Sequence, residues 1–151
     1  MSTDAKLLFF AGSARDGSFN KKLAKLGAQI ADANGISSTF LDLADYPMPL
    51  YDGDQETANG APENAFKLKN VLAVHEGVFI AAPEYNASIT PLLKNSLDWV
   101  SRARTEAEDP KLVFATRVFA LGAASPGGTG GIRGLTTVRH TLEMGLGALV
   151  L

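Results

Sequence analysis

The side chains with the most chemistry to offer lie in one short stretch, Gly12-Ser13-Ala14-Arg15-Asp16-Gly17-Ser18-Phe19-Asn20. Ser13, Ser18 and Asn20 supply neutral hydrogen-bond donors, and Arg15 adds a charged, planar fork. The stretch follows an apolar run, Lys6-Leu7-Leu8-Phe9-Phe10-Ala11, and opens a helical pattern that continues to about Asn34. Strand, polar loop and helix start together collect backbone N–H groups and aim them at an anion. Phosphate is therefore the expected ligand. Lys21, Lys22 and Lys25 fall in the first turns of that helix, where the macrodipole already favours negative charge, and a bound phosphate would relieve the misplacement. The loop is neither G-x-x-x-x-G-K-[ST] nor G-x-G-x-x-G, since its glycines are Gly12 and Gly17 only. Serine and asparagine in place of glycines suit a terminal monophosphate better than a bridged pyrophosphate.

A second stretch, Pro83-Glu84-Tyr85-Asn86-Ala87-Ser88, places an aromatic ring and an amide beside backbone donors, a set that stacks on and hydrogen-bonds a flat heteroaromatic ring. Glu84 is a possible general base by type, but no histidine or metal partner is evident for it. A third stretch, Ser125-Pro126-Gly127-Gly128-Thr129-Gly130-Gly131, permits close backbone approach to such a ring. Other polar residues read as structural. Lys94 and Asp98 form an i,i+4 pair on a helix, Trp99 belongs to the core or an interface, and His75 and His140 are not catalysts. No G-x-S-x-G elbow supports a serine triad built on Ser13 or Ser125.

These stretches need a scaffold, and the rest of the chain describes one. Its 151 residues fit one domain, 1–151, with a real core, and its apolar and charged fractions of 46% and 20% are those of an ordinary globular protein. A formal net charge of -2 gives no reason to expect nucleic-acid or anionic-membrane binding, and the absence of cysteine excludes disulfides and thiolate chemistry. Two distant histidines do not suggest a zinc site. No apolar run approaches a membrane span, and the N-terminus has no signal-peptide pattern, so a cytoplasmic protein is expected.

Apolar runs alternate with helical patterns from end to end, which predicts an α/β protein with a parallel sheet. Strands are expected at Leu7–Ala11, Ile36–Leu43, Gly77–Ala82, Arg117–Ala124 and Ala148–Leu151. The first helix carries Leu23, Leu26, Ile30 and Ala31 on its apolar side. Further helices are expected over Glu63–His75 (with Ala65, Phe66, Leu68, Leu72 and Ala73 as core positions), from Pro91 onward with Leu92, Leu93, Leu97, Val100 and Trp99 inward, and over Ile132–Met144. Ala44–Pro62, with three of the seven prolines, reads as a long irregular arm, and 105–111 as a charged connector. Each of the three chemistry-bearing stretches follows a strand, so all three should converge on the carboxyl rim of the sheet, where doubly wound folds bind ligands.

The residues also carry a resemblance. Gly12 to Asn20 resembles the G-S-x-R-x-x-S-x-N signature of the NADPH-dependent FMN reductase family, which includes flavodoxin-like quinone, chromate and azo reductases. Pro83-Glu84-Tyr85-Asn86-Ala87-Ser88, followed by Pro91-Leu92-Leu93-Lys94-Asn95 and Asp98-Trp99, is similar to that family's P-E-Y-N-x-S…P-x-L-K-N-x-x-D-W segment, and Ser125-Pro126-Gly127 with Gly130-Gly131-Ile132-Arg133 resembles its third loop. The resemblance spans essentially the whole chain. It implies a flavodoxin-like, doubly wound parallel five-stranded sheet of order 2-1-3-4-5. It also implies bound FMN, with NADPH or NADH as co-substrate. Ser13, Arg15, Ser18 and Asn20 would hold the phosphate. Pro83, Glu84, Tyr85 and Asn86 would hold the isoalloxazine, with Ser125, Gly127 and Gly128 along its other edge. The implied activity passes hydride from NAD(P)H through the flavin to a quinone or other small acceptor (free flavin, an azo compound, chromate), with no protein side chain as acid or base. A homodimer or homotetramer is implied, with the Ala44–Pro62 arm near the interface or substrate mouth. The rival readings are a flavodoxin-type electron carrier, which the mild acidity disfavours, and a P-loop-like nucleotide hydrolase, which the missing Walker lysine disfavours. Family members usually complete the fifth strand and add a final helix, so the last strand and helix are expected to be truncated here.

Overall fold

The computed structural model describes residues 5–104 and 112–151. The expected charged connector at 105–111 and the N-terminal tetrapeptide lie outside the described residues.

The chain begins with β1 (Lys6–Ala11) and α1 (Phe19–Ala33), then β2 (Ser37–Leu41) and a single 3-10 turn at Leu43–Asp45. Two helices follow, α2 (Gly53–Asn59) and α3 (Glu63–Ala73), leading into β3 (Gly77–Ala81). A small hairpin, β4 (Glu84–Tyr85) and β5 (Ser88–Ile89), precedes α4 (Pro91–Arg102). The last part comprises α5 (Leu112–Ala115), β6 (Val118–Gly122), α6 (Ile132–His140), a wide π turn at Thr141–Gly145 and β7 (Leu149–Val150). The main sheet is parallel throughout, in the order β2-β1-β3-β6-β7. Counting only its own strands, this is the expected 2-1-3-4-5.

Because successive strand residues face opposite ways, the sheet divides its apolar residues between two layers. Leu8, Phe10, Val78, Ile80, Phe119 and Val150 join the larger core with residues of α3, α4, α5 and α6. Phe9, Ala11, Phe79 and Ala81 face α1, which presents Ala24, Ala28 and Ala31. Small residues let this helix lie close to the sheet: a Cβ on Gly27 would stand 2.9 Å from the Phe9 ring. The expected apolar side of α1 is accordingly corrected. Ala31 is buried and Leu23 half-buried, but Leu26 and Ile30 are 52% and 55% exposed, because the contact is made by the alanine face rather than by the largest side chains.

In α3, Ala65, Leu68 and Leu72 are buried, whereas Phe66 is half-buried and Ala73 exposed. In α4, Leu93, Leu97, Trp99 and Val100 are buried and Leu92 partly so. The helix expected to run to Met144 gives way after His140 to the π turn. The arm at 44–62 is not irregular throughout, since α2 forms within it, capped by the Asp52 carboxylate, which accepts from the N–H groups of Asp54 and Gln55. That helix buries no residue, so it leaves no apolar periodicity in the sequence.

The arm is fastened to α4. Pro49 O accepts from the Trp99 indole Nε1 at 2.7 Å and from Asn95 Nδ2 at 2.9 Å, while Asn95 Oδ1 accepts from Tyr51 N at 2.8 Å. Trp99 is 1% exposed and meets the Tyr51 ring edge-on at 5.0 Å between centroids.

Candidate functional site

The sheet register sets the site. Ala11 pairs with Ala81, and Ala81 with Gly122, so β1, β3 and β6 end level with one another. Gly12 N donates to Ala81 O at 2.9 Å and Ala82 N to Gly122 O at 2.8 Å, which carries the stitching one residue beyond the strands. The three chemistry-bearing loops therefore leave the same rim side by side.

The first loop turns into α1 at Ser18, whose hydroxyl caps the helix by accepting from Lys21 N. Phe19 and Asn20 open the helix, so their N–H groups have no acceptor within it and point outward from its positive end. The Ser13 hydroxyl accepts from Arg15 N at 3.2 Å, curling the loop around this point. Ser13, Ser18 and Asn20 are 7%, 4% and 4% exposed, whereas Arg15 is open to solvent. Lys21 turns away from the helix start. Its Nζ donates to Asp42 Oδ2 at 2.7 Å and to Ala14 O at 3.2 Å. Partial burial pushes the Asp42 carboxyl up, but the Lys21 ammonium and the Ala44 N–H outweigh this and hold it below its ordinary value. Lys22 and Lys25 lie over the rings of Phe19 and Phe40.

The second loop is more regular than expected. Residues 84–89 close a two-residue hairpin turn, with Asn86 at φ 50° and Ala87 at φ 64°. A turn with both central residues left-handed matches the twist of the flanking strands, and it presents Tyr85, 53% exposed, at the rim. Three ties hold the loops together. Thr90 Oγ1 donates to Gly12 O at 2.7 Å, joining the second loop to the first. The Asn20 amide exchanges two bonds with Ala124, donating to its carbonyl at 2.9 Å and accepting from its N–H at 3.0 Å, which joins the first to the third. Glu84 Oε2 accepts from Gly134 N at 3.0 Å and Oε1 pairs with the Arg133 guanidinium, joining the second to α6. Those two donors, Gly134 N–H foremost, hold the Glu84 carboxyl below the ordinary carboxylate range.

Between these loops lies a polar pocket of about 150 Å³. Ser13, Arg15, Ser18, Asn20, Pro83, Glu84, Tyr85 and Ser125 all line it, as do Phe19, Ala124 and Pro126. Asn86, Gly127 and Gly128 stand outside it, at the hairpin turn and on the exposed part of the third loop. Phe19 lies inside the first motif and lines the pocket, but its side chain carries no donor to mark it in the sequence. Thr90 was also legible in principle, as a helix-capping residue directly before Pro91.

His75 is buried and spent on Val71 O and the Thr39 hydroxyl, and His140 is exposed at the end of α6. Among the described residues no group of three or more His, Asp or Glu is placed to hold a metal ion. No helix among them is long and apolar enough to cross a membrane.

A five-stranded parallel sheet of this order with a polar pocket at its carboxyl rim is the architecture of the flavodoxin-like oxidoreductases. FerB of Paracoccus denitrificans, a flavoenzyme NAD(P)H:(acceptor) oxidoreductase, superposes with a TM-score of 0.78 at 26% identity, covering 97% of this chain and 75% of its own. The chain belongs to the NADPH-dependent FMN reductase family, whose sequence profile matches residues 5–151. The quinone reductase of Escherichia coli K12 is 34% identical over 126 residues, covering 82% of this chain and 66% of that protein. A 2-hydroxy-1,4-benzoquinone reductase of a Burkholderia species is 37% identical over 122 residues, covering 79% and 64%. An NAD(P)H-dependent FMN reductase of Pseudomonas aeruginosa is 33% identical over 145 residues, covering 94% and 71%. The chain thus spans just under two thirds of the length of the Escherichia coli and Burkholderia relatives.

Proposed function

We propose that this chain binds FMN across the rim of β1, β3 and β6 and acts as an NAD(P)H-dependent oxidoreductase on a quinone or another small acceptor. The observation that carries the reading is that three separate loops, each with donors of the right type, are tied to one another around one polar pocket. Names of relatives support the acceptor class, since two are quinone reductases.

The donor set fits FMN. The start of α1 offers free backbone N–H groups, the Ser13 and Ser18 hydroxyls stand beside them, and the Arg15 guanidinium is available at the edge. Charge-assisted hydrogen bonds of this kind contribute about 1.5–3 kcal/mol each, against the roughly 8 kcal/mol of a micromolar complex. Asn20 serves the phosphate end by fixing the third loop beside it. A pocket of about 150 Å³ has room for a phosphate and part of its chain, and the flat end of the ligand would then lie along the rim. There Pro83, Glu84, Tyr85 and Asn86 flank one side, and Ser125, Gly127 and Gly128 the other. When bound, FMN supplies the hydride chemistry between nicotinamide and acceptor. The protein's part is to bind it, orient it and leave one face open. No side chain is assigned as acid or base. Self-association as a homodimer or homotetramer belongs to the same proposal, and the arm tip, where Leu50 is 78% exposed, is the surface we assign to it.

The test is the visible spectrum of the protein titrated with FMN and then with NADPH under argon. Uptake of FMN, bleaching at turnover rates and recovery on adding a quinone are expected. Failure to take up FMN overturns the proposal. Slow bleaching with fast exchange to a protein partner would establish an electron carrier instead.

A further inference from the structure

The Glu84 carboxylate belongs to a residue that lines the polar pocket, yet both of its oxygens are occupied by the protein. Its side chain is 8% exposed. Oε2 accepts from Gly134 N at 3.0 Å, and Oε1 faces Arg133. Gly134 is the third residue of α6, so its N–H is one of the donors that a helix leaves unpaired at its start. The N-cap of that helix is Gly131, which has no side chain to cap with. Glu84 therefore caps α6 from a different loop, placing a negative charge at the helix's positive end. The approach is close: a Cβ on Gly134 would lie 3.0 Å from Glu84 Cβ and 3.2 Å from its Cα. A glycine at this position lets the hairpin backbone rest directly on the helix.

We propose that Glu84 is a positioning residue, whose carboxylate locks the β4–β5 hairpin to the start of α6 and so fixes the gap between Tyr85 and the Ser125 loop in which a flat ring is held. This rests on the proposed function, and it assigns the carboxylate neither to proton transfer nor to direct contact with the ring. Asn20 and Thr90 fasten the loops on the phosphate side. Glu84 does so on the ring side, where nothing else among the described residues joins the hairpin to α6 through a charged side chain.

The experiment compares binding of FMN and of riboflavin, which lacks the phosphate, to the wild type and to Glu84→Ala, Glu84→Gln, Arg133→Ala and the Glu84→Ala/Arg133→Ala double variant. Amide hydrogen exchange of residues 84–90 is measured in each protein without flavin. In Glu84→Ala both dissociation constants should rise about tenfold and by the same factor, with hairpin exchange accelerated at least tenfold. Arg133→Ala should shift both readouts the same way by less, the double variant should match Glu84→Ala alone, and Glu84→Gln, which still accepts from Gly134 N–H, should recover part of the loss. Unchanged hairpin exchange in Glu84→Ala overturns the proposal. So does a large effect of Glu84→Ala with none from Arg133→Ala, or additive losses in the double variant, because both describe a carboxylate acting on the ligand by itself. If Glu84→Ala does not fold, Arg133→Ala, altered at an exposed side chain, carries the test. A wild type that binds neither flavin refutes the proposed function, while hairpin exchange still decides the role of Glu84.

Discussion

Arg15 and Asp42 show how charges near the first loop divide their work. Arg15 is open to solvent at the pocket edge, so replacing it disturbs little of the protein and tests the proposed phosphate contact. Arg15→Ala is expected to weaken FMN binding by roughly ten- to a hundredfold, the loss of one charge-assisted bond, and to leave riboflavin binding unchanged. Paired titrations with the two flavins measure this, and equal losses for both would contradict a phosphate role. Asp42 instead consumes the first-turn lysine. Its carboxyl is held below the ordinary value by Lys21 and the Ala44 N–H, so the folded state binds a proton less readily than the unfolded chain. The stabilisation from this pair is therefore full above the ordinary aspartate pKa of about 3.9 and is lost as pH falls through the lowered folded value. Melting temperatures of the wild type and Asp42→Asn should differ at neutral pH and converge in acid. A gap that persists at the acid end would show that the carboxylate charge is not what stabilises.

At the scale of elements, the hairpin and the arm are held by different means. The hairpin turn places Ala87 at φ 64°, a left-handed conformation that costs a residue with a Cβ roughly 1–2 kcal/mol. Ala87→Gly should relieve that strain, partly offset by a more flexible unfolded chain, for a net gain of up to about 1 kcal/mol. The midpoint of urea unfolding reads it, and a lower midpoint would count against a strained turn. The arm depends on α4. Trp99→Phe removes the indole donor to Pro49 O, although Asn95 continues to serve that carbonyl, and it leaves a gap beside Tyr51. A loss of about 1–3 kcal/mol is expected from the missing hydrogen bond and the smaller side chain. Stability equal to wild type would mean that Asn95 alone anchors the arm.

At the scale of the whole fold, the described residues cover the two faces of the sheet unequally. Parallel sheets are normally buried on both. Here the α1 side leaves a groove of about 350 Å³ lined by Leu7, Phe9, Gly77, Phe79, Val118, Ala120 and Leu151. It lies toward the amino ends of the strands, opposite the loops, so it is larger than the polar pocket but is not part of it. An environment-sensitive apolar dye should bind this chain there and fluoresce. Val118→Lys, which places a charge at a side of the groove that is already 37% exposed, should reduce the signal without lowering FMN affinity. Dye fluorescence unaffected by the substitution would place the binding elsewhere.

What the sequence determined by itself was whatever is written locally. The strand runs around Phe9, Ile80 and Phe119 are apolar because they form the buried middle of the sheet, with apolar side chains on both of its faces, and the order of loops and helices follows from chain direction. The types of the donors at Ser13, Arg15 and Ser18 are equally plain. Tertiary structure decided the matters that depend on what a residue meets across the fold. Leu26 and Ile30 have the spacing of a buried stripe, but α1 settles on its alanines because only small side chains let it approach Phe9. Asn86-Ala87 lacks the Asn-Gly signal of a tight hairpin, yet it adopts that turn because the strands on either side are clamped. Asn20 and Glu84 are polar residues in the two motifs, and only the register that brings Ala124, Arg133 and Gly134 beside them shows that Asn20 bonds the Ala124 backbone and Glu84 bonds the Gly134 N–H and the Arg133 guanidinium.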